Sequence, residues 1–144
     1  MPWALRPAAP TRKAVEALFA RRHAAYLRLD PAALAADYAT DAIVESPFGG
    51  VQHGPAGAEQ SLRKFFDVFK GLRIDTQAPI IDGLRVAQEA FITATGIQEF
   101  QGRPASDRDL HFVAALIYEL RGVTILRERR VYDSTGMWVQ VGVL

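Results

Sequence analysis

Cysteine is absent from this sequence of 144 residues, which excludes disulfide bonds, thiolate metal sites and a cysteine nucleophile. Histidine is scarce as well. His23, His53 and His111 stand far apart along the chain and form no metal-binding motif. We therefore expect no metal site, and no pattern in the sequence implies an organic cofactor.

An excess of charge of one sign is also missing. The chain has 17 Lys and Arg against 16 Asp and Glu, and no basic run is interleaved with aromatic residues, so we do not expect nucleic-acid binding. No apolar stretch is long enough to cross a membrane, and the first ten residues lack the apolar run of a signal or transit peptide. We expect a soluble, cytoplasmic protein.

The length and composition are typical of one globular domain with a sizeable core. Residues 1–10 contain three prolines, and they predict a flexible N-terminal arm. Residues 11–144 then form a single domain.

Three helices are predicted in the first half of the chain. Apolar residues at helical spacing predict a helix over residues 11–29, which Thr11 can cap. Asp30 caps a short second helix over residues 31–41, with proline at its first position. A third helix is predicted over residues 54–69.

The rest of the chain alternates in the manner of β-strands. A short strand over residues 42–46 leads into the "GGVQHGP" loop, and a bend is expected near Gly96. The longer predicted strands cover residues 72–81, 84–100, 109–120 and 124–133. Helices followed by a strand meander indicate an α+β fold, a cone-shaped curved mixed or antiparallel sheet wrapped around three N-terminal helices. The open mouth of such a cone is a natural ligand site.

Arg22 lies at the centre of the apolar face of the first predicted helix. An unpaired buried charge is costly, so this guanidinium must be neutralised or hydrogen-bonded. One interpretation is an ion pair with a sheet carboxylate, for which the candidates are Asp133, Glu128 and Glu99. The other is a cavity arginine that binds a ligand oxygen, and both hold if the pair lines the pocket.

Two segments resemble a known superfamily. "YATDAIVESPFGG" followed by "HGPAGAEQSLRKFF" resembles the helix–strand–loop–helix segment of the nuclear transport factor 2-like superfamily, which includes ketosteroid isomerases and SnoaL-like polyketide cyclases. The ending "RERRVYDSTGMWVQVGVL" resembles the SnoaL-like ending, in which an aromatic residue and an aspartate close the last strand. The resemblance covers residues 12–144 in order and implies the cone-shaped fold.

The resemblance also assigns positions of the isomerase machinery. The catalytic aspartate matches Ser46, the oxyanion-hole tyrosine matches Arg22, and its aspartate partner falls near Ala114. A hydroxyl cannot shuttle protons as a carboxylate does without a base beside it. The isomerase machinery is therefore not retained, and we interpret Ser46 as a pocket-wall hydrogen-bond donor.

For SnoaL-like cyclases the resemblance implies a different acid/base. Asp133 in "VYDSTG" matches the aspartate near the end of the last strand, and its alternative role is a strand-end cap. Arg22 would then stabilise negative charge on a ligand oxygen. His111 can reach the pocket only if its face of the strand is the concave one.

These expectations combine into one predicted pocket, largely apolar, with Arg22 and Asp133 as catalytic residues. Its substrate-binding residues are predicted to be Tyr26, Ser46, Phe65, Phe69, His111 and Tyr132. One hypothesis is an enzyme with cyclase-, isomerase- or hydratase-type acid–base chemistry on a small apolar oxygenated molecule such as a polyketide. The other is a non-catalytic module that binds a small ligand or only dimerises. A homodimer through the outer sheet face is expected, with the 127–130 "RERR" strip solvated or facing the partner.

Overall fold

Helices and strands follow one another through residues 9–144, the part of the chain that the computed structural model describes. The predicted N-terminal arm falls almost wholly outside the described residues. The helices are α1 (Arg12–Leu27), α2 (Pro31–Ala35), α3 (Gly54–Val68) and α4 (Ser134–Gln140). The strands are β1 (Tyr38–Ser46), β2 (Gly50–His53), β3 (Phe69–Lys70), β4 (Arg73–Thr76), β5 (Ile80–Asp82), β6 (Arg85–Ala94), β7 (Gly96–Ile97), β8 (Leu110–Arg121) and β9 (Thr124–Val131).

Both predicted caps are present in the first two helices. The Thr11 hydroxyl accepts a hydrogen bond from the Ala14 N–H, and the Asp30 carboxylate accepts one from the Ala33 N–H. The second helix is shorter than predicted, because the chain already enters β1 at Tyr38. Strand pairing in the sheet therefore overrides the weak helical propensity of this segment.

A seven-stranded mixed sheet carries the fold. Its order is β2-β1-β9-β8-β6-β4, and β5 also pairs with β6. The β1–β9 ladder is parallel, whereas every other ladder of this sheet is antiparallel. The sheet is curved and unclosed, with α1 and α3 against its inner face, so the predicted α+β class is confirmed.

Two connections differ from the sequence prediction. The predicted "GGVQHGP" loop contains β2, which folds back on β1 as a hairpin. The C-terminal tail forms the short helix α4, which the strand pattern did not predict.

The expected bend near Gly96 is confirmed. The chain leaves the main sheet after Ala94 and forms β7, which pairs with β3 in a separate two-stranded sheet. Gly96 has a φ of 154°, and a Cβ atom there would lie 2.1 Å from the Ser106 carbonyl oxygen. Only glycine permits this close approach of two backbone segments.

Candidate ligand-binding site

A small cavity lies between α1, α3 and the inner face of the sheet. Its volume is about 30 Å³, which is room for a water molecule or two. Half-buried Phe65 and Phe66 of α3 flank it. The lining residues are Tyr26, Leu62, Phe65, Phe66, Ile74, Ala90, Ile92, Ala114, Leu116, Arg130 and Tyr132. Arg130 is the one charged side chain among them.

Arg130 is held from two sides. Its Nε and Nη2 donate to Glu128 Oε1 at 3.2 and 2.9 Å, and Nη1 donates to the Ser61 hydroxyl at 3.0 Å. Glu128 is fully buried and Arg130 is 8% exposed. These three hydrogen bonds, made by three different nitrogens of the planar guanidinium, restrict it to one orientation beside the cavity.

The Arg130–Glu128 pair stays ionised near neutral pH. Burial alone would raise the pKa of Glu128, but the positive charges of Arg130 and Arg22 and the hydrogen bonds to its oxygen hold it below its ordinary value. Burial alone would lower the pKa of Arg130, but the Glu128 charge raises it instead. The cavity wall therefore carries a cation that is already matched by an anion.

Arg22 is buried, as predicted, but it does not line the cavity. Its Nη1 donates to the Leu34 carbonyl and to the Asp37 carboxylate, both at 3.0 Å, and its Nη2 donates to the Tyr38 hydroxyl at 3.1 Å. Its ion-pair partner is thus Asp37, at the entry to β1, rather than one of the three sheet carboxylates expected. Tyr38 in turn donates to Glu128, so the two buried ion pairs form one network.

Three of the predicted pocket residues line the cavity, namely Tyr26, Phe65 and Tyr132. The Tyr132 hydroxyl is buried and makes no hydrogen bond within residues 9–144, and burial raises its pKa. Phe69 lies one layer away, in an aromatic cluster where its ring centroid is 5.0 Å from that of Phe65. It supports the cavity wall without forming it.

Ser46 is the last residue of β1, and its hydroxyl oxygen accepts a hydrogen bond from the Gly49 N–H at 3.0 Å. It does not line the interior cavity. It lines an open groove whose wall includes Arg130 and Tyr132, so these two residues line both the groove and the cavity. The role of Ser46 as a pocket-wall hydrogen-bond donor stays a prediction.

Asp133 and His111 are both exposed and lie outside the cavity. Asp133 caps α4 by accepting a hydrogen bond from the Gly136 N–H at 2.8 Å, which is the alternative that the sequence left open. His111 lies on the outer sheet face, where its backbone exchanges two hydrogen bonds with the Gln140 side chain. The structure does not bring either residue together with Arg22.

The polar residues of the cavity region are ones that sequence reasoning missed or placed elsewhere. Arg130 and Glu128 belong to the "RERR" strip that was expected to be solvated or partner-facing. Only Arg127 and Arg129 of this strip are exposed. The inward position of Arg130 was readable from Tyr132, since residues two apart on a strand share a face.

Residues 9–144 contain no group of three His, Asp or Glu side chains that could hold a metal ion. Over the same residues, none of the helices has the length and apolar character required to span a membrane.

Comparison with known proteins identifies the family. The family model described as "SnoaL-like domain" matches residues 15–128. The chain belongs to the SnoaL-like domain family. This confirms the resemblance that the sequence motifs indicated, and the match ends before β9 is complete, so it does not include Arg130 or Asp133. Comparison with curated proteins finds no match.

Solved structures with the same fold cover nearly all of the chain. TsrD from Streptomyces laurentii is 20% identical with a TM-score of 0.78, over 93% of this chain and 98% of that one. A candidate polyketide cyclase from Xanthomonas campestris pv. campestris is 20% identical with a TM-score of 0.76, over 91% and 98%. A protein with a ketosteroid isomerase-like fold from Catenulispora acidiphila DSM 44928, solved with trimethylamine, is 18% identical with a TM-score of 0.71, over 88% and 93%. At such identities the similarity establishes the fold alone.

Proposed function

We propose that this chain binds a small, mostly apolar molecule with a carbonyl oxygen, of the polyketide type, and that Arg130 binds that oxygen. The proposal rests on the position of Arg130, a single buried guanidinium in an otherwise apolar and aromatic cavity. A guanidinium has five N–H donors, and Arg130 uses three hydrogen bonds within the protein. The remaining donors can serve a ligand oxygen.

Ligand entry requires movement of the cavity wall. A cavity volume of about 30 Å³ is far below the roughly 150 Å³ of an interior cavity that holds benzene, so a ligand must displace side chains. Phe65 and Phe66 are the natural ones to move, because both are half-buried and neither is held by a hydrogen bond. Rotamer changes of this kind are common on binding.

An enzymatic role is the second candidate. It is favoured by neighbours of the same fold that are named as candidate polyketide cyclases. In such chemistry Arg130 would stabilise negative charge that develops on the carbonyl oxygen. Within residues 9–144 no carboxylate or imidazole lines the cavity, and Asp133, the proton acceptor predicted for this role, is exposed and lies outside it, so in this role Asp133 would have to reach a ligand that extends beyond the cavity. Asp133→Asn would remove turnover, because an amide cannot act as acid or base in place of the carboxylate. It would not reduce stability, because asparagine is also a good cap residue.

The binding proposal is tested with two matched variants, Arg130→Lys and Arg129→Lys. Both make the same substitution on adjacent residues of β9, one facing the cavity and one facing outward. Lysine keeps the positive charge beside Glu128 but lacks the planar set of N–H donors of the guanidinium. We expect Arg130→Lys to weaken binding of acetophenone and 2-acetylnaphthalene about tenfold or more, the effect of one lost charged hydrogen bond.

Binding is followed by NMR titration of the backbone amides, and chemical-shift changes should map to α3 and β9. Equal affinity in the two lysine variants would show that Arg130 does not bind the ligand. Saturable binding without shift changes at the cavity would place the site elsewhere.

The homodimer remains a proposal, supported by the outer face of the sheet. Phe91, Val113 and Ile117 form an exposed apolar strip there, on the neighbouring strands β6 and β8. Exposed Arg129 of β9, paired with Glu45 at 3.1 Å, lies at its border. An apolar centre with a charged rim is the usual composition of a protein–protein interface.

The cytoplasmic location also remains a prediction.

A further inference from the structure

The buried charges of this domain balance to zero. Four charged residues are buried within residues 9–144, and they are Arg22, Asp37, Glu128 and Arg130. Two are cations and two are anions, and each cation touches an anion, with Arg22 at 3.0 Å from Asp37 and Arg130 at 2.9 Å from Glu128. The interior therefore has no spare positive charge beside the cavity.

One further cation, Arg21, contacts this network but does not change its charge balance. Arg21 binds the second oxygen of Asp37 at 2.8 Å, but its side chain is 59% exposed. Water screens such a surface charge, and Asp37 stands between it and the rest of the network. Arg129 is outside the cavity as well, and it is paired with Glu45.

An anionic ligand would therefore enter the cavity without a partner for its charge. Arg130 could approach a carboxylate only by sharing the charge that already matches Glu128. A buried charge without its own counter-ion is strongly unfavourable. A neutral carbonyl oxygen needs only a hydrogen-bond donor, and Arg130 has N–H groups left for it.

We propose that the cavity selects uncharged carbonyl compounds and rejects carboxylates of the same shape, because Glu128 neutralises Arg130. This inference rests on the proposed function and narrows its ligand class. It also makes Glu128 a specificity-determining residue, although Glu128 itself does not line the cavity.

Acetophenone and benzoate test the inference directly. They have nearly the same size and shape, and at neutral pH only benzoate is charged. We expect wild-type protein to bind acetophenone at least about tenfold more tightly, a difference of 1.4 kcal/mol, as measured by NMR titration at constant ionic strength. Phenylacetone and phenylacetate form a second matched pair that should show the same preference.

The variant Glu128→Gln should greatly reduce or abolish the preference. Glutamine keeps the shape of the side chain but leaves the Arg130 charge unmatched, so affinity for benzoate should rise about tenfold or more. Glu45→Gln is the matched control, because it frees Arg129 in the same way on the outer side of the sheet. The control should leave both affinities unchanged.

The outcomes separate this inference from the proposed function. If wild-type protein binds benzoate as tightly as acetophenone through Arg130, the selectivity is wrong and the binding proposal stands. If neither ketone binds, the inferred selectivity and the proposed function are both refuted. If folded Glu128→Gln gains no affinity for benzoate, charge balance is not the cause of selectivity. If that variant does not fold, the two wild-type ligand pairs decide the matter.

Discussion

Replacement of Arg22 by methionine is the most direct test of the buried network. Methionine keeps an unbranched apolar side chain but removes the guanidinium, so Asp37 loses one cation and the Leu34 carbonyl loses one of its donors while keeping the Asp37 N–H. Breaking a buried ion pair typically costs roughly 3–5 kcal/mol. Asp37 keeps Arg21 at 2.8 Å, so we expect the lower end, about 3 kcal/mol.

Arg21→Met is the matched control for this prediction. It is the same substitution one residue earlier, and Arg21 binds the same carboxylate. Because its side chain is 59% exposed, the loss should stay below about 1 kcal/mol. The contrast between the two variants isolates the effect of burial.

Urea unfolding followed by far-ultraviolet circular dichroism measures both variants, with equal m-values as the condition for comparison. A loss of about 3 kcal/mol corresponds to a fall in Tm of roughly 6–12 °C for a domain of this size. If Arg22→Met is no less stable than Arg21→Met, the buried ion pair does not stabilise the fold. Adding Asp37→Leu to Arg22→Met should recover part of the loss, because no buried carboxylate is then left unpaired.

Three further predictions concern other parts of the molecule. Burial would raise the pKa of Glu128 but its arginine neighbours lower it, so its stabilising effect is full above about pH 4.3 and is lost as the pH falls through the folded pKa. Glu128→Gln should therefore lose less stability than wild type on acidification in urea unfolding. Val113→Glu on the outer sheet face should give monomers in sedimentation, whereas Val139→Glu, at a similarly exposed valine, should not. Gly96→Ala, whose Cβ would lie 2.1 Å from the Ser106 carbonyl, should cost about 2 kcal/mol or more.

Each of these predictions has a contradicting result. If wild type and Glu128→Gln lose the same stability as the pH falls, the Glu128 carboxylate is already protonated in the folded protein. A dimer in both valine variants would place the interface elsewhere. For the glycine, Gly83→Ala is the control, since no atom lies within 4 Å of its added Cβ, and equal losses at Gly83 and Gly96 would exclude a steric cause.

The strand pattern predicted the inner face of the sheet well where the residues are apolar. In β8, Leu110, Ala114, Leu116, Tyr118 and Leu120 are buried, as alternation required. Regular spacing also predicts inward positions for Tyr26 and Phe65 on their helices, and these two residues line the cavity together with Tyr132. Apolar side chains at regular spacing have one favourable face, so a local pattern is enough to orient them.

The pattern failed where a charged strand passes through the core. A β-bulge shifts the register between β8 and β9, so Ile125 and Glu128, three residues apart, both face inward. Counting every second residue from Ile125 puts Glu128 and Arg130 outside. A single extra residue reverses the face of all that follow, and the one local signal of this reversal is Tyr132, an aromatic residue two positions beyond Arg130.

The sequence alone determined the α+β class, the helix caps and the need to neutralise Arg22, because these depend on local spacing and on the cost of burying a charge. Its motifs also resemble the family that the comparison then showed. Only the tertiary structure decided which groups meet. It paired Arg22 with Asp37, placed Asp133 at the cap of α4 and Ser46 at the end of β1, and brought Arg130 to the cavity. Those outcomes depend on strand register and on where β1 ends, which arise from long-range pairing rather than from neighbours in the chain.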